Sequence, residues 1–284
     1  MKKIQMFHRV AGLATLYPPV MGNKYTPKWL ETVREEYNKK WTDEQKANIT
    51  NVIKCPGIFE LFSKGFYVPL PYEVDFLLED GKETLHRMPI FDSASNTFDE
   101  AHASNLTGQP NGGQQAGSMQ IRVLGAFDNL PDLKHMPTRG DTYSELVNLK
   151  TGWTIVSDVP LLFAPLPYPD KYEWETGMGI LDTRVNSEVN AQIMFCNKPE
   201  DGKKEYHINA GEFLLFIVPL THEEWSLESR ELTEKDKMWL NLEQTIKRGW
   251  WNARKRTQQF FSWSECPFDL KKRKFKAFDK FWSK

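Results

Sequence analysis

The chain has 284 residues, with 37 basic and 38 acidic side chains and a formal net charge of −1, so no global field draws it to nucleic acid or to an anionic surface. Its length allows roughly three quarters of the unfolded surface to be buried, in one large β domain or in a core with appendages. Cys55, Cys196 and Cys266 are widely spaced and odd in number, which fits neither a zinc site nor a disulfide framework and points to a reducing, cytoplasmic compartment.

Lys3 to Val10 has the composition of a first strand, and Leu16 to Pro27 (LYPPVMGNKYTP) is expected as an extended connection. Thr26 and Pro27 read as the N-cap and first position of a helix whose apolar stripe is Leu30, Val33, Tyr37 and Trp41. Thr42 to Ala47 is a second, short helical start, and Ile58 to Ser63 a third that Gly65 ends as a C-cap, so 26–63 forms a helical insertion. Cys55 reads as a buried small hydrophobe rather than a nucleophile, since no base can be positioned for it.

Phe66 to Leu70, Glu73 to Leu78 with its alternating Val74, Phe76 and Leu78, and Glu83 to Met88 predict a β-meander. The stretch 92–118 is poor in apolar residues and is expected as a long loop; His102 with Asp99 and Glu100 matches no metal-ligand spacing, and no metal site is expected there. Met119 to Phe127 is a strand and Asp128 to Asp141 a connection. Thr142 to Leu149 is a short strand or turn, while Trp153 to Val156 and Pro160 to Ala164 are two strands broken at Ser157 and Asp158. Pro165, Pro167 and Pro169 forbid both helix and central strand, so Leu166 to Glu173 is a rigid extended loop.

The most ordered pattern lies between Gly177 and Pro219. Val189, Ala191, Ile193 and Phe195 alternate with Asn190, Gln192 and Met194, the period of a half-buried strand. Asn197 to Lys203 is a turn, His207 to Gly211 opens a second run, and Phe213 to Leu220 has the nearly continuous apolar composition of a strand covered on both faces.

The order of these residues resembles the trimeric dUTPase and dCTP deaminase superfamily. Ala164 and Pro165 stand where that family has the start of its Ala-Pro-Arg-Ser-Gly motif; Gly179, Ile180, Leu181, Asp182, Glu188 and Val189 follow its Gly-Val-Ile-Asp motif; Ile208, Ala210, Gly211 and Glu212 precede an apolar strand as in the family. The resemblance implies a β-sandwich or jelly-roll-like core and a trimer, and it matches Asp182 to the family carboxylate that orients the attacking water. The departures fall on the chemistry. Leu166 and Pro167 replace the Arg and Ser that would hold phosphate oxygens, and neither offers a donor to a triphosphate. Arg184, Val185, Asn186 and Ser187 replace the residues around base and sugar, and a lone carboxylate is a general base only with phosphate and metal fixed beside it. Asp182 reads as a turn-stabilising residue. The chain also resembles uncharacterised proteins of marine tailed phages, through its early Pro-rich segment, the Trp-containing helix and the late Gly, apolar, Pro strand.

After Thr221 the pattern turns helical, with a start near Glu223 and Glu224 that closes at Leu227. Thr233 to Arg248 is a second helix opened by a capping box of Thr233 and Asp236. From Lys247 onward there are twelve Lys or Arg against three acids, interleaved with ten aromatics. Arg248, Trp250, Trp251, Arg254, Lys255, Arg256, Lys271, Lys272, Arg273 and Lys274 form a candidate surface for single-stranded nucleic acid or another viral protein. The helical spacing of Phe275, Phe278, Phe281 and Trp282 equally suits packing of the aromatics with the lysines facing water.

The expectation is a mainly β chain, with a dUTPase-like core over 1–220 and a helical, basic and aromatic appendage over 221–284. Its function is expected to be non-catalytic, structural or binding, in a viral homo-oligomer that is cytoplasmic or virion-associated. No cofactor is expected. The alternatives are a divergent nucleotide diphosphatase using Asp182 with Mg²⁺, and a single-stranded nucleic-acid-binding protein. No run of 18 apolar residues occurs and no signal-peptide pattern opens the sequence, so neither a membrane span nor signal-directed secretion is expected.

Overall fold

Three β-sheets answer the alternating sequence pattern. The computed structural model describes residues 2–8, 10–48, 52–79, 85–92, 97–103, 120–126, 142–143, 145–181, 183 and 188–236. The chain forms two compact units, Met1–Glu231 and Leu232–Lys284. Among the described residues the chain is mainly β, as expected.

The first unit begins with strand β1 (Lys2–His8), helix α1 (Leu13–Leu16) and the short strand β2 (Val20–Met21). Helices α2 (Lys28–Lys40), α3 (Asp43–Asn48) and α4 (Pro56–Lys64) follow in the predicted insertion. Then come β3 (Phe66–Pro69), β4 (Val74–Glu79), β5 (Leu85–Asp92), β6 (Thr97–Ala103), β7 (Gln120–Ala126), β8 (Glu145–Ser157) and β9 (Leu161–Ala164). The last six are β10 (Trp174–Thr176), β11 (Gly179–Leu181), β12 (Glu188–Phe195), β13 (Lys203–Ile208), β14 (Phe213–Pro219) and β15 (Trp225–Glu231).

One sheet has the order β10-β12-β8-β1-β15, with β7 also paired to β8; the second runs β11-β9-β14-β3-β2 and the third β13-β4-β5-β6. Consecutive strands β12, β13 and β14 therefore enter three different sheets, and the stretch that reads as strand, turn, strand is a three-way branch point of the core. The predicted alternation in β12 is present: Val189, Ala191, Ile193 and Phe195 are buried, while Gln192 is exposed.

Strand β14 is covered on both faces through a β-bulge. Its register against β3 shifts between Phe213 and Leu215, so that Leu214 and Leu215 both join the main core with Ile217, while Phe213, Phe216 and Val218 face a second cluster. Strand β3 alternates to match, with Phe66 and Val68 in the main core and Tyr67 in the second cluster. Leu30 of α2 and Ile58 and Phe62 of α4 complete that second cluster. The helical insertion is thus the cover of one sheet face.

Several expectations are corrected. The helix expected from Glu223 and Glu224 to Leu227 is absent; Trp225–Glu231 is strand β15, parallel to β1 from Lys2↔Trp225 to His8↔Glu231. A seven-residue ladder, with Trp225 and Leu227 packed on the core, outweighs the helix propensity of its glutamates. Residues 145–149 of the first expected segment and all of 153–156 belong to the single thirteen-residue strand β8 (Glu145–Ser157). Part of the expected loop 92–118 is strand β6, antiparallel to β5; residues 104–119 lie outside the described set. β3 and β4 belong to different sheets, so the meander consists of β4, β5 and β6. The Pro-rich connection contains β2, paired with β3.

Gly65 is the C-cap of α4, as expected, but its backbone is extended (φ −133°, ψ −175°) rather than left-handed, and its requirement is space, because a Cβ there would meet the Phe216 ring at 2.3 Å and the Ile217 carbonyl oxygen at 2.8 Å. Two local readings change. Cys55 is exposed at the N-cap of α4, not buried. Thr26 does not cap α2; Pro27 occupies that position and makes no side-chain cap.

In the second unit, the described residues include the predicted capping box. The Thr233 N–H donates to Asp236 Oδ2 at 2.8 Å, and the Asp236 N–H donates to Thr233 Oγ1 at 3.3 Å.

Candidate functional site

The proline run after β9 builds the wall of a cavity. Pro165, Pro167 and Pro169 withhold backbone donors, so the chain leaves the sheet and crosses the surface as an extended arm. Tyr168, between two prolines, has φ +52°, a left-handed conformation that a bulky residue adopts only when its surroundings impose it. The imposition comes from α2. The Trp29 indole N–H donates to the Tyr168 carbonyl at 2.8 Å, and the two rings meet at a centroid separation of 6.0 Å. Two residues on, the Asp170 carboxylate accepts hydrogen bonds from the backbone N–H of Lys28 (3.3 Å) and Trp29 (3.1 Å).

The opposite wall is the turn between β13 and β14. Glu212 Oε2 accepts from the Asn209 backbone N–H at 3.1 Å, the Glu212 N–H donates to the Asn209 carbonyl at 3.0 Å, and Gly211 has φ +86°. Two bonds anchor this turn to the end of β3: Leu70 N–H to the Glu212 carbonyl at 2.8 Å, and Gly211 N–H to the Leu70 carbonyl at 2.6 Å.

Between these walls lies a cavity of about 540 Å³, lined also by Tyr25, Tyr67, Tyr172, Trp174, Glu175, Thr176, Phe213 and Leu214. Tyr25, Tyr67 and Phe213 form an aromatic trio with centroid separations of 4.9 to 5.0 Å. Tyr67 and Thr176 are 2% and 3% exposed, and neither hydroxyl has a hydrogen-bond partner among the described residues. Burial raises the pKa of the Tyr25 phenol, with Asp170, Glu31 and Glu212 adding to the effect; Tyr67 is raised further by burial, then by Tyr25 and Asp170. The charges acting on both phenols are thus negative.

Leu166 and Pro167, singled out in the sequence as replacing phosphate-holding residues, both line this cavity. Asp182 lies outside the described residues, as do Arg184, Val185, Asn186 and Ser187. The neighbouring Thr183 is buried, its hydroxyl accepting from the Ser157 N–H at 2.9 Å and donating to the Ser157 carbonyl at 3.1 Å. The candidate nucleic-acid residues Arg248, Trp250, Trp251, Arg254, Lys255, Arg256, Lys271, Lys272, Arg273 and Lys274 also lie outside the described residues.

Sequence reasoning missed Tyr25, Tyr67, Tyr168 and Thr176 as wall residues. The alternation of proline with Leu166 and Tyr168 was a signal for a rigid arm; nothing local distinguishes Tyr67 from any strand tyrosine. Among the described residues, no three His, Cys, Asp or Glu side chains converge as a metal site. None of the described helices is long and apolar enough to cross a membrane. No protein-family model matches the sequence, and neither a curated protein nor a solved structure matches it.

Proposed function

We propose that this chain is a non-catalytic structural or binding protein, viral and oligomeric, built on a jelly-roll-like framework of the dUTPase kind whose nucleotide chemistry has been replaced. One observation carries the reading: the positions that would hold phosphate in the resembled family are Leu166 and Pro167, and they line a cavity walled by aromatic rings and by Asp170, Glu175 and Glu212. A triphosphate needs charge-assisted donors at its oxygens, and carboxylates there oppose it. Lys28 and Lys171, the cations of the lining, are outnumbered by those three acids.

The test is pyrophosphate release from a panel of deoxynucleoside triphosphates with Mg²⁺. The expected result is no turnover. Turnover abolished by Asp182→Asn would replace this proposal with the diphosphatase reading. Light scattering tests assembly: a trimer is expected, and a 33.1 kDa monomer at micromolar concentration overturns the oligomeric part.

The nucleic-acid reading has one observation of its own, the excess of nine positive charges from Lys247 onward. It requires salt-sensitive retention of single-stranded DNA by the full chain that is lost on removal of residues 250–284.

A further inference from the structure

We propose that the cavity between the proline arm and the Asn209–Phe213 turn is a binding site for a neutral sugar ring, a mono- or disaccharide unit. This rests on the binding reading above and names its ligand class.

Three features of the wall select that chemistry. The first is shape and surface: about 540 Å³ is the size of a small-molecule site, and the wall residues Tyr168 and Tyr172 are 46% and 48% exposed. A half-exposed tyrosine beside proline rings offers a flat apolar face with a polar tip, the complement of a pyranose with one C–H face and a rim of hydroxyls. The backbone outlier at Tyr168, fastened by Trp29 and by the Asp170 cap, holds one of those tyrosines in place before any ligand arrives.

The second feature is the pair of unpartnered groups. The Tyr67 and Thr176 hydroxyls are covered, lack partners among the described residues and belong to residues of the cavity wall. A hydroxyl both donates and accepts, so its natural complement is another hydroxyl. Engaging them requires the wall to give slightly, and the hydrogen bonds gained offset that cost, because a buried polar group without a partner is itself unfavourable.

The third feature is charge. An anionic ligand is opposed by Asp170, Glu175 and Glu212. For a cation the wall offers fewer open ligand atoms than its charge implies, because both Asp170 oxygens and Glu212 Oε2 already accept backbone N–H bonds and Lys28 and Lys171 stand beside them. A neutral ligand rich in hydroxyls meets neither objection.

The experiment is calorimetric and NMR titration of the full chain with a panel of neutral hexoses, pentoses, N-acetylhexosamines and their dimers, with choline, lysine methyl ester and dUTP as charged probes. At least one neutral sugar is expected to bind saturably below about 10 mM. Tyr168→Ala and Tyr172→Ala, both at half-exposed residues, are expected to weaken it by roughly tenfold with unfolding transitions retained, and Tyr67→Phe to weaken it as well. No saturable binding by any sugar of the panel overturns the proposal, as does sugar binding that all three variants leave unchanged. Saturation by choline or lysine methyl ester alone overturns it in favour of a cation site. These outcomes are separate from nucleotide turnover, so the sugar assignment can fail while the non-catalytic reading stands. Binding of dUTP lost in Tyr168→Ala would count against both.

Discussion

The carboxylate of Asp170 accepts a hydrogen bond from the backbone N–H of Trp29 at 3.1 Å, across 141 positions of sequence. A helix start leaves its first N–H groups without partners inside the helix, and here the missing acceptor comes from the proline arm rather than from Thr26. Asp170→Ala is therefore expected to lower stability by about 1 kcal/mol in denaturant unfolding, with Asp170→Asn retaining most of it. An unchanged midpoint in the alanine variant would show that the cap contributes nothing.

Gly152 divides strand β8, at φ +78°, and a Cβ added there would lie 2.4 Å from Nε2 of His8. His8 is fully buried; its Nδ1 accepts from the Val10 N–H at 3.0 Å and its Nε2–H donates to the Thr151 carbonyl at 3.1 Å, so the neutral ring fits between two backbone groups. Gly152→Ala combines backbone strain with displacement of this ring. A loss of about 2 kcal/mol or more is expected, read as a lowered thermal midpoint; retention of the wild-type midpoint would refute the steric account.

Trp153 ties two sheets together. It is 1% exposed on β8, and its indole N–H donates to the Pro69 carbonyl at 3.0 Å on β3. Trp153→Phe keeps an aromatic ring but leaves that carbonyl without its donor and opens space beside it. We expect a cost of about 2 kcal/mol in urea unfolding.

His207 and Asp75 face each other across β13 and β4 and are hydrogen-bonded through Nδ1 and Oδ1. The bond to Asp75 is the main cause that raises the His207 pKa; Asn209, which faces Nε2 at 3.0 Å, adds to it, while burial opposes it. Because the folded value lies above the unfolded one, the protonated pair favours the folded state below the ordinary histidine pKa of about 6.5, and the gain disappears as pH rises through the folded value. Both side chains are about half exposed, so the contribution to stability is small. NMR titration should show His207 titrating above the ordinary value in the wild type and moving down in Asp75→Asn; equal values in the two proteins would contradict the pairing.

Much of the β architecture was legible locally. The alternation of Val189, Ala191, Ile193 and Phe195 against exposed Gln192, and the apolar run of β14, state how each strand is buried without reference to the rest of the chain. The prolines at 165, 167 and 169 likewise exclude secondary structure by their own covalent geometry. The helical pattern at Glu223 to Leu227 does not prevail because the strand state of Trp225–Glu231 is decided by β1, more than 200 residues away, and no local periodicity encodes that ladder. Cys55 was misread because exposure at a helix start depends on what packs over it.

Local sequence sets the class of this chain: mainly β, with a helical insertion and a rigid proline arm that carries no side-chain donor at Leu166 or Pro167. These follow from side-chain period, ring constraint and donor inventory, which are properties of neighbouring residues. The cavity was decided only by the tertiary structure. Its walls come from β3, β10, the proline arm and the turn before β14, and they meet because Asp170 and Trp29 secure the arm to α2 and Leu70 anchors the turn. Convergence of distant segments is a product of packing and hydrogen bonding between them, and no single segment carries it.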